Sequence, residues 1–321
     1  MDGRGKIMRN NNITILGTGS YLPSNIVTNE QLCKHIDTTP EWVENKLGII
    51  ERRIVVDETT ADLAYNAAIN TLSNANVDKE DLDLIMVVTS SPDQISPSTA
   101  CTLHNMLNIK KDIPSFDINA VCGGFVYAMS FASTLISSGA YKKILIIASE
   151  TYSKHTNVYD RNCVFFGDGA GGLVLGTSKN GWSVGHIASN GSGSGMTGFR
   201  MPLSDPFTMI GKEVWEQAVR VLPESIKIVM NEAKLEVDDI KLLVPHQPSI
   251  NILKVVAKEL GMSMDNVKAV QHKYGNIAGA SIPIALHDAF VNNEIQKGDK
   301  ILLSAVGSGW AWGSMVINYD D

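Results

Sequence analysis

Three residues of different types carry the chemistry that this sequence offers: a thiol at Cys122, an imidazole at His246 and a side-chain amide at Asn276. Cys122-Gly123-Gly124 opens a helical pattern, His246 directly follows a short apolar run, and Asn276 lies in a loop just ahead of another helical pattern. A thiol at a helix N-terminus, with an imidazole or other cation adding to the dipole, has its pKa lowered into a range of about 3.5–7.5. The expectation is therefore a nucleophilic thiolate near neutrality. Each residue alone has a plainer reading. A free cysteine is more often a small buried hydrophobe, by roughly four to one, and a lone histidine or an Asn beside a glycine is more often structural. Cys33, Cys101 and Cys163, and the other six histidines, have no comparable context.

What raises the three above those readings is a duplication that fixes their positions. Ala75–Val87 (ANVDKEDLDLIMV) aligns without a gap with Ala233–Pro245 (AKLEVDDIKLLVP), an offset of 158 residues, and Lys143–Ile146 aligns with Lys300–Leu303 at 157. Two matches at one offset imply two similar α/β halves in tandem, residues 1–178 and 179–321, meeting at the polar break Ser178-Lys179-Asn180-Gly181. The runs Ile85–Val88 and Ile144–Ile147, with their counterparts Leu242–Val244 and Ile301–Leu303, read as strands buried on both faces, which need helices on both sides. Phe125, Ala128, Met129, Ala132, Leu135 and Ile136 recur at helical spacing and stop at Gly139, a C′ glycine. Ser281-Ile282-Pro283 reads as the N-cap and first-turn proline of the matching helix. The same offset sets Asn276 opposite Asn119, so the Cys122 and Asn276 loops enter equivalent helices. His246 joins them at a strand's carboxyl end, where open α/β sheets bind ligands.

A chain of 321 residues, 44% hydrophobic, has material for two cores. A formal net charge of −7 gives no basic footprint for nucleic acid, while leaving room for a local basic patch. The first dozen residues, basic at Arg4, Lys6 and Arg9, lack an apolar signal region, and no run approaches the roughly 18–20 apolar residues of a membrane span. A cytoplasmic protein is expected. The four cysteines show no paired or finger spacing, so neither a disulfide framework nor a metal site is signalled. The glycine clusters give no clean dinucleotide fingerprint.

Four segments in order carry a resemblance: Asp117–Phe125 (DINAVCGGF), Phe166–Gly171 (FGDGAG), Val244–Gln247 (VPHQ) and Tyr274–Asn276 (YGN). They resemble the signature segments of β-ketoacyl-acyl carrier protein synthase III, in the thiolase superfamily, and the likeness runs from about Ile13 to Ile317. The resemblance implies a thiolase-like five-layered αβαβα fold, a homodimer, and decarboxylative Claisen condensation of an acyl-coenzyme A-derived acyl-enzyme with malonyl-acyl carrier protein. It implies Cys122 as nucleophile, the backbone N–H groups of Cys122 and Ser308 as oxyanion hole, and His246 and Asn276 as donors to the malonyl thioester oxygen. No metal or cofactor is implied beyond acyl-coenzyme A as substrate. Trp42 would stack on the adenine of coenzyme A, with Arg161 beside it and Lys46 where the family commonly has arginine.

Departures from the pattern bear on substrate and partner. Ser96 stands where the family often has a phenylalanine that crosses the dimer interface and closes the acyl pocket, so donors of about six to ten carbons are expected to outrun acetyl. Asn251 replaces a carrier-docking arginine, Glu259 enters a usually basic patch near Lys254 and Lys258, and Ile50 replaces a basic residue. Ser308 interrupts a run that is more usually three glycines. Besides a condensing enzyme for fatty-acid initiation or a specialised product, two readings stay open: an acyltransferase that uses Cys122 without decarboxylation, and a non-catalytic binding subunit, against which the intact Cys–His–Asn set argues.

Overall fold

The structure is a computed structural model that describes residues 5–191 and 193–320; Arg4 lies outside them. The main strands are β1 (Lys6–Tyr21), β2 (Leu84–Val88), β3 (Ser115–Ile118), β4 (Lys143–Thr151), β5 (Asp168–Ser189), β6 (Leu242–Pro245), β7 (Lys300–Gly307) and β8 (Ala311–Asn318). The helices that flank them are α1 (Pro40–Leu47), α2 (Thr60–Ala75), α3 (Thr99–Met106), α4 (Gly124–Ser137), α5 (Gly211–Ala233), α6 (Ile250–Leu260) and α7 (Ser281–Val291).

Alternation of side chains along the strands sorts the interior into layers. Leu84, Met86 and Val88 of β2 and Ile144 and Ile146 of β4 point into one cluster with α4 and α7, while Ile85, Val87, Leu145 and Ile147 point into another with α2 and α3. In the second half, Leu242, Val244, Ile301 and Leu303 face that same α4–α7 cluster, and Leu243 and Leu302 face a third with α5 and α6. Three helical layers thus alternate with two sheet layers, the αβαβα order. A one-residue slip would exchange the two faces of a strand. With each buried Leu or Ile worth about 1.5–3 kcal/mol, packing holds that register.

The duplication extends to strand pairing. Ile85 pairs in parallel with Leu145, and Leu243 with Leu302 at the same offset. The β2–β3 pair has a shorter counterpart in the parallel bridge Leu243–Val267. Hydrogen bonding runs β6-β7-β8-β5-β4-β2-β3, with β1 along β5. The polar break lies within β5: Ile13 of β1 pairs with Thr177 but Asn11 with Trp182, and the Ser178 hydroxyl accepts from the N–H groups of Asn180 and Gly181. The boundary at 178/179 therefore falls inside a shared strand rather than in a free linker.

Helix α4 ends as its spacing predicts, with Ser138 as C-cap and Gly139 at φ 78°. Ser281 departs from expectation. It is the first residue of α7, with Ala280 as N-cap, and its hydroxyl accepts from the N–H of Ile277. Among the described residues no helix is long and apolar enough to cross a membrane.

Candidate active site

Both central helices, α4 and α7, are entered through a single 3-10 turn, Val121–Gly123 and Ala278–Ala280 respectively. Cys122 is the middle residue of the first turn. The end of β7 lies against it so closely that a Cβ on Gly307 would come within 2.8 Å of the Cys122 nitrogen. Only a glycine lets the two backbones meet there, and the contact brings Ser308 to the thiol's cavity. The Ser308 hydroxyl points away, donating to the Phe199 carbonyl at 2.6 Å, so its added bulk ties down a neighbouring loop.

His246 leaves β6 with its N–H on the Ser304 carbonyl at 2.8 Å. Gln247 anchors this turn, donating to the carbonyls of Pro245 and Lys268 and accepting from the N–H of Val270. The imidazole is buried, and its Nδ1 has no hydrogen-bond partner. Asn276 is held on three sides: its N–H donates to Phe165 O, its carbonyl accepts from Gly167 N–H, and its Oδ1 accepts from Ala278 N–H at 2.8 Å. With the oxygen engaged, the amide nitrogen is the end offered to a ligand.

Cys122, His246, Asn276 and Ser308 line one inner cavity of about 50 Å³, walled by Phe166 and Phe199. An outer chamber of about 300 Å³ shares Met209, Val214, Pro248 and Asn276 with it and opens past Trp42, Lys46 and Trp215. The Arg161 guanidinium stands 4.0 Å over the Trp42 ring. Asn251 donates to the Lys46 carbonyl, joining α6 to α1 at that chamber's wall. Ser96 is exposed and lines neither chamber of this chain.

The electrostatics correct one expectation. Burial pushes the Cys122 thiol well above its ordinary pKa, the Glu150 carboxylate adds to the rise, and only a backbone hydrogen bond lowers it. Burial likewise depresses His246 to about 3, opposed by the Ala278 backbone. The resting pair is a neutral thiol and a neutral imidazole, because desolvation at this depth outweighs the pull of the helix end.

Glu150 is the feature that motif reading missed. It is the last residue but one of strand β4, is fully buried, and accepts from Ser90 N–H and from the hydroxyls of Ser90 and Ser91. Burial raises its pKa to about 7 against those hydrogen bonds. A carboxylate closing the run Ile144–Ile147 was a visible signal; its serine partners, about 60 positions earlier, were not.

A half-buried cysteine with a buried histidine and asparagine, converging at helix heads and a strand end, suits acyl transfer through a covalent thioester. Residues 116–193 match the family described as 3-oxoacyl-[acyl-carrier-protein] synthase III, and residues 230–319 match that family's C-terminal region. The chain is 39% identical to the β-ketoacyl-[acyl-carrier-protein] synthase III of Clostridium acetobutylicum, covering 96% of this chain and 99% of that one. It is 40% identical to the enzyme of the same name from Oceanobacillus iheyensis, covering 96% and 99%. The chain belongs to the synthase III family. A crystal structure of 3-oxoacyl-[acyl-carrier-protein] synthase III from Aquifex aeolicus superposes with a TM-score of 0.91 at 37% identity, over 96% of this chain and all of that one. This synthase III is therefore an acyltransferase of the thiolase fold, and Cys122, His246 and Asn276 sit on the segments that carried the resemblance.

Proposed function

We propose that this chain condenses an acyl group, taken from acyl-coenzyme A, with malonyl-acyl carrier protein to give a β-ketoacyl product in fatty-acid initiation. The observation that carries the reading is the common cavity of Cys122, His246, Asn276 and Ser308, joined to an outer chamber of about 300 Å³ that would take the pantetheine arm. The Cys122 sulfur attacks the thioester carbonyl, and the oxyanion accepts from the N–H groups of Cys122 and Ser308. As the tetrahedral intermediate collapses, the thiol proton ends on the departing coenzyme A sulfur. Because that proton is still present in the resting site, acylation must remove it as the donor binds. Malonyl-thioester then loses carbon dioxide; the electron pair of the broken C–C bond becomes an enolate that accepts from His246 and Asn276. The enolate carbon attacks the Cys122 thioester, and the C–S bond breaks to return the thiolate, which takes up one proton.

Trp42, Arg161 and Lys46 would hold the nucleotide end of coenzyme A, by stacking and by charge. The exposed Lys254 and Lys258 of α6 offer an acidic carrier protein a basic face beside the chamber. A cytoplasmic homodimer completes the reading. Support for a dimer is the edge strand β3, whose Phe116 is exposed. The deciding experiment supplies acetyl-coenzyme A and malonyl-acyl carrier protein and follows carbon dioxide and the β-ketoacyl product. An acylated Cys122 with no carbon dioxide release would instead favour transfer without decarboxylation.

A further inference from the structure

Arg52 lines neither chamber of the site, yet its side chain is fully buried. It belongs to the short strand Glu51–Arg53, which pairs with Ile26–Thr28. The guanidinium donates to the Val27 carbonyl at 3.1 Å, to the Asn29 side-chain oxygen at 2.8 Å and to the Val164 carbonyl at 2.9 Å. All three acceptors are neutral. Burial lowers the guanidinium to about 10, so it still carries its charge at neutral pH. A buried cation held by neutral oxygens is a poor source of stability, because desolvation takes back most of what the hydrogen bonds return. Its Nε, buried with no partner, adds to that cost.

What the side chain reaches gives it a different use. The Asn276 backbone is clamped by one segment: its N–H donates to Phe165 O at 2.9 Å and its carbonyl accepts from Gly167 N–H at 3.1 Å. The guanidinium holds the carbonyl of Val164, the residue just before that clamp. The stem closes the other side. A Cβ on Gly167 would stand 3.1 Å from the Arg52 Cβ, and one on Gly275 3.3 Å from it, so the stem packs against both flanks of the Phe166–Asn276 bridge. Gly275, at φ 68° and ψ −160°, holds a conformation open essentially to glycine alone, and it aims the peptide that leads into Asn276.

We propose that Arg52 is the positioning residue of Asn276: it fixes the loop that presents the amide nitrogen to the cavity, and so governs the decarboxylation step rather than acyl transfer to Cys122. This rests on the synthase reading above. The selectivity follows from the contacts, since the Cys122 turn lies on Gly307 and the His246 turn on Gln247 and Ser304, none of which Arg52 bonds. Val164 also ends the turn that begins at Arg161, so loss of the guanidinium should raise KM for the acyl donor, an effect that saturation removes.

The test compares the half-reactions in Arg52→Met, which keeps an unbranched stem and loses the guanidinium. At saturating acetyl-coenzyme A, acylation of Cys122 should stay within about three-fold of wild type. Carbon dioxide release from malonyl-acyl carrier protein should fall by roughly 10- to 100-fold, the scale of a misplacement of about 1 Å. Arg52→Lys, which keeps a charge but not the planar fork, should fall between the two. A second readout does not depend on turnover. In protein carrying isotopically labelled asparagine, the side-chain amide resonance identified by its loss in Asn276→Ala should move in Arg52→Met, while that of Asn119 holds still. Equal losses in both half-reactions, as general destabilisation would give, or normal decarboxylation with an unmoved Asn276 resonance, overturn the assignment. If Arg52→Met loses its native circular dichroism, the same comparison in Arg52→Lys decides. Wild-type protein that acylates Cys122 and releases no carbon dioxide sinks the synthase reading, and the Asn276 resonance alone then decides the role of Arg52.

Discussion

The loops that enter α4 and α7 are copies of one another, and they differ in what each delivers. Val121 at φ 48° and Ala278 at φ 40° hold the same left-handed conformation, rare outside glycine, 157 positions apart. At the next position one loop carries the Cys122 thiol and the other Gly279, where a Cβ would lie 3.0 Å from Val88, 3.2 Å from the Val121 carbonyl and 3.3 Å from Glu150. The asparagines are reversed in importance: Asn276 is buried and bonded on three sides, whereas its counterpart Asn119 is exposed. One backbone solution thus carries a thiol in one half and follows a buried side-chain amide in the other. The strained turn is common property of the scaffold, and the chemistry is set by single side chains upon it.

The strongest way to break this comparison is Cys122→Ser. It should keep the fold and lower acyl transfer by roughly 10³-fold or more, measured as acyl-enzyme by mass spectrometry; acylation at Cys33, Cys101 or Cys163 in the wild type would sink the assignment. Next, Asn276→Ala and His246→Ala should leave acylation of Cys122 in place and reduce malonyl decarboxylation by roughly 10²-fold. Asn119→Ala, the same change in the other copy, should leave decarboxylation near the wild-type rate. Equal losses at Asn119 and Asn276 would erase the distinction between the loops.

A smaller effect is expected at Gly279→Ala, where the tight contacts must give: stability should fall by about 1–3 kcal/mol, read from denaturant midpoints, with slower acylation because Val121 neighbours the thiol. An unchanged midpoint would mean the turns are looser than their geometry. The last effect, Glu150→Gln, shows in the pH dependence of stability. The folded pKa of Glu150, about 7, lies above the unfolded value near 4.5. Its contribution is therefore fully present below about pH 4.5 and is lost as pH rises through 7, up to about 3 kcal/mol in all. The variant should gain stability relative to wild type as pH rises from 5 to 8. Subtracting the two profiles matters, because His246, depressed to about 3, contributes the opposite slope between pH 3 and 6.5.

Much of this architecture could be read from the chain because its signals are local or repeated. The offset between Ala75–Val87 and Ala233–Pro245 gave the two-half plan, and burial of Leu84–Val88 on both faces was implicit in an unbroken apolar run. Cys122 and Asn276 stood out once the offset aligned their loops. The state of the thiol was not readable: helix position argues for a thiolate, whereas depth and Glu150 are properties of chain segments brought together only by folding. Ser281 was misassigned by a residue because its hydroxyl bonds backward to Ile277 rather than forward into the helix.

The long strand β5 has a consequence for how the molecule comes into being. Lys6 pairs with Ile187 and Tyr21 with Ala170, so the first strand made has no partner until most of the first half and the shared strand have left the ribosome. At roughly 5–20 residues per second, that wait is on the order of ten to thirty seconds. During it β1 is an exposed, partnerless ribbon, and its apolar residues Ile13 and Ile15 are open to wrong associations. Overproduction that crowds nascent chains should therefore yield aggregates seeded by the N-terminal segment, even where the finished protein is soluble.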